Sequence, residues 1–110
     1  MDNLANNSMV SLTKFEDLSF FDNLALYHLG KEVPPNVIAQ AMLKGEPKTS
    51  SAFLSSIDSS KREEIYRLMA QEKDSNEEQK DAAISGILLI AENLISKNVI
   101  VKKGKYYFGV

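Results

Sequence analysis

From Ser75 to the end of the chain, hydrophobic positions recur with helical spacing: Ile84, Ile87, Leu88, Ala91, Leu94 and Ile95 follow the i, i+3, i+4 rhythm that stacks side chains on one face of a helix. Leu89 and Ile90 lie off that stripe and widen it, which predicts a helix covered on more than one side, the central helix of the domain. Ser75 and Glu78 stand at capping-box spacing and place its start. Beyond Lys97 the chain turns β-branched and aromatic, Val99-Ile100-Val101 and Tyr106-Tyr107-Phe108, on either side of Lys102-Lys103-Gly104-Lys105. That is the pattern of a tight hairpin with a glycine available for positive φ. Two strands alone are marginal, so the hairpin is expected to lean on the helices.

Upstream, shorter periodic segments alternate with breakers. Thr13 and Glu16 have the spacing of a capped short helix, and Asp22 caps a second over Asn23 to Lys31 with Leu24, Leu26, Tyr27 and Leu29 on its apolar side. Pro34-Pro35 ends it, because proline disfavours helical geometry in the residue before it, and Pro35 fits the first turn of a third helix over Asn36 to Lys44. Gly45 stops that helix at C′. Pro47 opens a fourth through Phe53 and Leu54. Asp58 or Ser59 caps a fifth through about Gln71, with Ile65, Leu68 and Met69 as its apolar side and Ile57 just ahead. Short helices with brief connections predict an all-α fold: a compact bundle of about six helices with a long C-terminal helix followed by a short β-hairpin. The polar, Asn-rich stretch 1–11 reads as a disordered tail, leaving 12–110 as one helical domain.

Composition narrows the chemistry. The 110 residues suit a single core, and the net charge of −2 with mixed signs argues against nucleic acid. Lys97, Lys102, Lys103 and Lys105 are a local exception, read as lysines that blunt the edge of an exposed hairpin. With no cysteine and one histidine, His28, the chain offers no thiolate and few metal ligands. Neither a cofactor nor a metal is expected. Glycines occur singly, and the carboxylate pairs Glu16-Asp17, Glu63-Glu64 and Glu77-Glu78 fall at helix starts or exposed faces, where acids favour the positive helix end. His28 reads as a packed or half-exposed histidine, and Met42 and Met69 as core. A non-enzymatic protein is expected, in the cytoplasm, because no signal peptide or membrane-spanning segment is legible. The fifth helix carries dense charge of both signs. A helical wheel puts Glu63, Arg67 and Asp74 opposite Ile65, with Glu64 and Gln71 flanking and Glu63–Arg67 as an i, i+4 pair. A solvated face and a partner-binding ridge both fit that pattern.

Several segments together resemble the C-terminal domain of the bacterial flagellar motor switch protein FliG. They are Phe15-Glu16-Asp17-Leu18, Asp22 opening a helix that ends Lys31-Glu32-Val33, Leu43-Lys44-Gly45, Phe53-Leu54, and Glu77-Glu78-Gln79-Lys80 through Ile87-Leu88-Leu89-Ile90 to Val99-Ile100-Val101. The resemblance implies a rotor component at the cytoplasmic face of the flagellar basal body. Its charged helical face would meet the stator for torque and motility, and switch-complex subunits would be further protein partners, with no small-molecule substrate. Carried over by motif, Lys44 matches the lysine of the family's LKG element, and Lys61 or Arg62 the arginine near the start of the charged helix. The family's later acidic pair falls near Leu68-Met69 instead, and its Gly-Pro-Val-Arg-Leu element is absent from Glu72 to Asn76. Glu63, Glu64, Glu72 and Asp74 would then supply negative charge in a different layout, with Arg67 on the same face. The linker motif Met-Phe-x-Phe reads Leu12-Thr13-Lys14-Phe15 here, and the family's upstream domains do not appear. The chain is therefore either the end domain of a longer protein or a short diverged relative. The alternative reading is a FliG-like adaptor that binds other flagellar or secretion-apparatus proteins without generating torque.

Overall fold

The computed structural model describes residues 12–110; the expected disordered tail lies outside them. A 3-10 turn, Phe15–Phe20, leads into five α-helices: α1 (Asn23–Glu32), α2 (Pro35–Met42), α3 (Pro47–Ser55), α4 (Ser59–Glu72) and α5 (Glu77–Ser96). An antiparallel hairpin follows, β1 (Ile100–Lys103) and β2 (Tyr106–Gly109). The architecture is the one the hydrophobic pattern predicts, an all-α bundle whose long last helix carries a short hairpin.

The centre of the bundle differs from expectation. It is α2, which buries Ile38, Ala39, Ala41 and Met42 and packs against both α4 and α5. Its two alanines let the neighbouring helices approach on opposite sides. α5 buries Ala83, Ile87, Leu88, Ala91 and Leu94, with Ile84, Ile90 and Ile95 packed at the margin, whereas Leu89 is 68% exposed. A chain this short has too few helices to surround a 20-residue helix on all sides. On α1 the buried residues are Ala25, Leu26, Leu29 and Gly30, and the expected Leu24 stays outside. α4 buries Ile65 fully and packs Leu68 and Met69 at the core margin, as read from its spacing.

The helix ends also correct the sequence reading. α5 is capped by Asn76, whose Oδ1 accepts from Gln79 N at 2.8 Å while Gln79 Oε1 accepts from Asn76 N at 3.2 Å. This capping box sits one residue later than the expected one, and it places Glu77 and Glu78 in the first turn, where the helix dipole favours acids. At the other end Asn98 adopts φ 63°, with Asn98 N bonded to Ile95 O and Val99 N to Leu94 O, a Schellman closure. The 3-10 turn is held by Asp17 rather than Glu16, because Asp17 Oδ2 accepts from Thr13 N at 2.8 Å and Lys14 N at 3.1 Å. Asp22 caps α1 as expected, and Glu46 caps α3 ahead of Pro47. Gly45 is required by contact and not by a left-handed conformation: a Cβ there would lie 2.6 Å from the Phe15 ring.

The hairpin is stitched to the start of the bundle. Gly104 takes φ 63° at the first position of the two-residue turn between Lys103 and Tyr106. Phe21 forms a parallel bridge with Tyr107, their rings 4.7 Å apart, and Asp22 N donates to Tyr107 O at 2.9 Å. Gly109 N donates to Asp22 Oδ1 at 3.0 Å, the same oxygen that caps α1 through Ala25 N. A side chain at Gly109 would strike the α1 backbone, because a Cβ there would lie only 2.6 Å from Leu24 C.

Candidate functional site

The residues expected to form one charged face are dealt to three places. Lys61 and Arg62, in the first turn of α4, point inward. Lys61 Nζ donates to Gly30 O at 2.6 Å and to Val33 O at 2.9 Å, closing the C-terminal end of α1. Gly30 makes this possible, since a Cβ there would meet Ile57 at 2.8 Å and push the start of α4 away. Arg62 Nη1 donates to Leu54 O at 3.1 Å and Ile57 O at 3.2 Å, closing the end of α3. The last carbonyls of a helix lack intrahelical donors and carry the negative end of its dipole, so a cation at each end satisfies both needs. Burial pushes the Lys61 ammonium below its ordinary pKa, opposed by the charges of Glu32, Asp58 and Glu64.

The outer face of α4 carries Glu63, Glu64 and Arg67, all exposed. Arg67 Nη2 lies 3.6 Å from Glu64 Oε2, so the ion pair spans i, i+3, and the expected Glu63–Arg67 pair is replaced by it. Tyr66 stands beside them, 52% exposed. Both charged partners are at least half exposed, so the pair contributes little to stability and its charges remain open to a partner.

The third group lies at the far end of α4. Lys61 and Glu72 are eleven residues apart along the helix, or about 16 Å at 1.5 Å per residue. Glu72 Oε1 accepts from Gln40 Nε2 at 2.8 Å, joining α4 to α2. One turn beyond Gln40, Lys44 Nζ meets Glu77 Oε1 at 2.9 Å and Asp81 Oδ1 at 2.6 Å. Hydrogen bonds to Asp81 and then Glu77 raise the Lys44 pKa, and the bond from Lys44 lowers that of Glu77. Asp74 is exposed in the connection between α4 and α5. Gln40 and Asp81 were missed from sequence, and Glu77 was read only as a helix-start acid. The i, i+4 spacing of Glu77 and Asp81 on α5 was the available signal.

The arrangement is suited to electrostatic docking. His28 packs beside Tyr27 and has Nε2 at 3.0 Å from Val110 O, half-exposed as read. Among the described residues no three His, Cys, Asp or Glu side chains gather as metal ligands, and no helix is long and apolar enough to cross a membrane. Comparison with curated proteins and with solved structures returns no match. Comparison with protein families gives one: the FliG C-terminal domain, matched over residues 2–101. That family is a structural one of the flagellar motor switch and its C-ring, not a family of enzymes. With its length almost wholly matched and its helices in the expected order, the chain belongs to the FliG C-terminal domain family, which suggests a component of the flagellar motor switch.

Proposed function

We propose that this domain is a non-enzymatic rotor element whose charged α4 face contacts the stator at the cytoplasmic side of the basal body. The contact surface consists of Glu63, Glu64 and Arg67, extended at the far end by Asp74 and Lys44. Glu72 braces that end through Gln40, while Lys61 and Arg62 hold the helix in place from beneath. The observation that carries this reading is the pairing of family membership with an outer helix face that presents both signs of charge to solvent. Torque transfer by charge contact needs no bond chemistry, only a face that engages and releases, and exposed ion pairs are weak enough for that. The test is to reverse charge singly, Glu64→Lys and Arg67→Glu, and to score swimming and stator capture alongside circular dichroism. Loss of motility with an intact helical spectrum is expected; normal swimming in both variants would sink the proposal.

A second reading, an adaptor that binds switch or secretion-apparatus proteins without torque, is favoured by one observation. Phe20 and Tyr106 meet edge-to-face with ring centroids 6.0 Å apart, and with Phe108 they leave a partly exposed aromatic ridge along the hairpin. Tyr106→Ser separates the two readings. Under the adaptor reading it abolishes partner capture that Arg67→Glu leaves intact.

A further inference from the structure

The outward face of the hairpin is aromatic where an antiparallel ribbon facing water ordinarily carries polar side chains. Side chains alternate along each strand, so the pairs Val101–Phe108 and Lys103–Tyr106 share that face, while Ile100 and Tyr107 are buried on the other. Phe20, at the end of the 3-10 turn, extends the row through its edge-to-face contact with Tyr106. Phe20, Tyr106 and Phe108 are 37%, 48% and 40% exposed. Around these rings the charge is of one sign. Residues 97–110 hold four lysines and no acidic side chain, in a chain whose net charge is −2. Lys102, Lys103 and Lys105 are exposed at the tip, and among the described residues none of them pairs with a carboxylate. Lys105 Nζ stands 5.8 Å from the centre of the Phe20 ring and 5.4 Å from that of Tyr106, which joins cation and rings in one patch. Of the acids near the patch, Glu46 is engaged as the cap of α3, and Glu16 lines a cleft that Lys48 also lines. Blunting a sheet edge accounts for the lysines but leaves the aromatic row unexplained.

We propose that the hairpin tip is a peripheral docking surface for an anionic lipid bilayer. Aromatic side chains favour the boundary between headgroups and acyl chains, where the ring leaves water and a tyrosine hydroxyl stays wet. Lysines beside them reach the lipid phosphates, and each strengthens binding to an anionic surface about fivefold. A bilayer needs no shaped pocket and touches only one end of the molecule, whereas a polyanion that wraps the domain would meet the net negative remainder of the chain. Three rings and three lysines give reversible, salt-sensitive attachment and not a permanent anchor. The inference does not rest on the stator reading. The hairpin packs on α1 and α5, and the outer face of α4 is left free for its own partner.

The chain contains no tryptophan, so Tyr106→Trp places a single fluorophore on the patch, and Tyr66→Trp places one on the exposed face of α4 as a control. Each variant of the full chain is titrated with vesicles of phosphatidylcholine alone, and with vesicles of phosphatidylcholine and phosphatidylglycerol in equal parts. The proposal expects a blue shift at position 106 with the anionic vesicles, partitioning at least about tenfold weaker to the neutral ones, and no shift at position 66. Adding Lys103→Gln and Lys105→Gln should weaken binding about twentyfold with the helical spectrum unchanged, and raised salt should weaken it in the chain that keeps both lysines. No shift at 106, equal shifts at 106 and 66, or binding indifferent to both the lysines and salt would each overturn the proposal. So would an equal shift at 106 with polyglutamate or single-stranded DNA in place of vesicles, which would assign the patch to a soluble acidic partner.

Discussion

The two ends of α4's charged sequence treat cations in opposite ways. At its start, Lys61 and Arg62 turn under the helix and close the ends of α1 and α3. Half a helix later, Arg67 turns outward to an exposed pair with Glu64. Lys44, across the far end, bridges two exposed acids of α5. A run of charged residues on one helix is thus two devices: an internal one that joins three helices by their carbonyls, and an external one that meets solvent. Counting charges along the helix merges them, whereas following each donor to its acceptor separates them.

This division has measurable consequences. The largest effect is expected at the inward cations. Lys61→Met or Arg62→Met leaves two part-buried carbonyls without a charged donor, so each should lose about 2 kcal/mol of stability, read as a lower urea midpoint at unchanged m value. A change below about 0.5 kcal/mol in both would place these side chains with the outer face instead. Next in size is the behaviour in acid. Glu77 titrates below its ordinary value of 4.5 because Lys44 bonds it. Its contribution is present above the unfolded value and is lost as pH falls through the lower folded one. Lys44→Met should therefore flatten the acid limb of the stability profile; an identical limb in the variant would show that the pair does not matter.

In alkali the two lysines should diverge. Lys44 is raised above 10.5, so its contribution holds below that value and is lost as pH climbs through the folded one. Lys61 is lowered, so between its folded value and 10.5 the unfolded chain holds more protons and Lys61 contributes a rise in stability with pH. Denaturation profiles of Lys44→Met and Lys61→Met against the parent chain should then deviate with opposite slopes; slopes of the same sign would break the contrast. The smallest effect on stability is expected from Glu64→Lys and Arg67→Glu, within about 0.5 kcal/mol of the parent in thermal or urea unfolding. A larger loss would mean that the outer face also bears structural weight.

The fold was legible because each helix carries its own local signals. Asp22, Pro35, Pro47 and the apolar stripe of α5 act within a few residues, and the sequence shows them. The misread elements depend on what lies across space. Asn76 and Ser75 are equally plausible caps by type, and only the geometry of the α4–α5 connection selects Asn76, leaving the Ser75 hydroxyl buried without a partner. Leu89 matches its apolar neighbours in type but is exposed, because no helix among the described residues packs over it. Gly45 looks like a helix stop, yet its need comes from Phe15, thirty residues earlier. The candidate site was legible as a list of charges and not as a surface. Nothing in the spacing of Lys61 and Arg62 tells that helix ends 31 and 8 residues upstream will claim them.

The carboxylate of Asp22 holds both the Ala25 amide in the first turn of α1 and the Gly109 amide, 87 residues away. Its two bonds therefore form at very different moments. The local one is available as soon as α1 is made, but the distant one waits until Gly109 has left the ribosome. Closing so long a loop is slow compared with winding a helix. During synthesis the opening helix and the 3-10 turn before it must persist without the β2 strand that covers them, with Phe21 and the side of Ala25 bare. Closure of the fold thus waits on Gly109, and a stall before that residue would leave the beginning of the fold, not its end, exposed to aggregation.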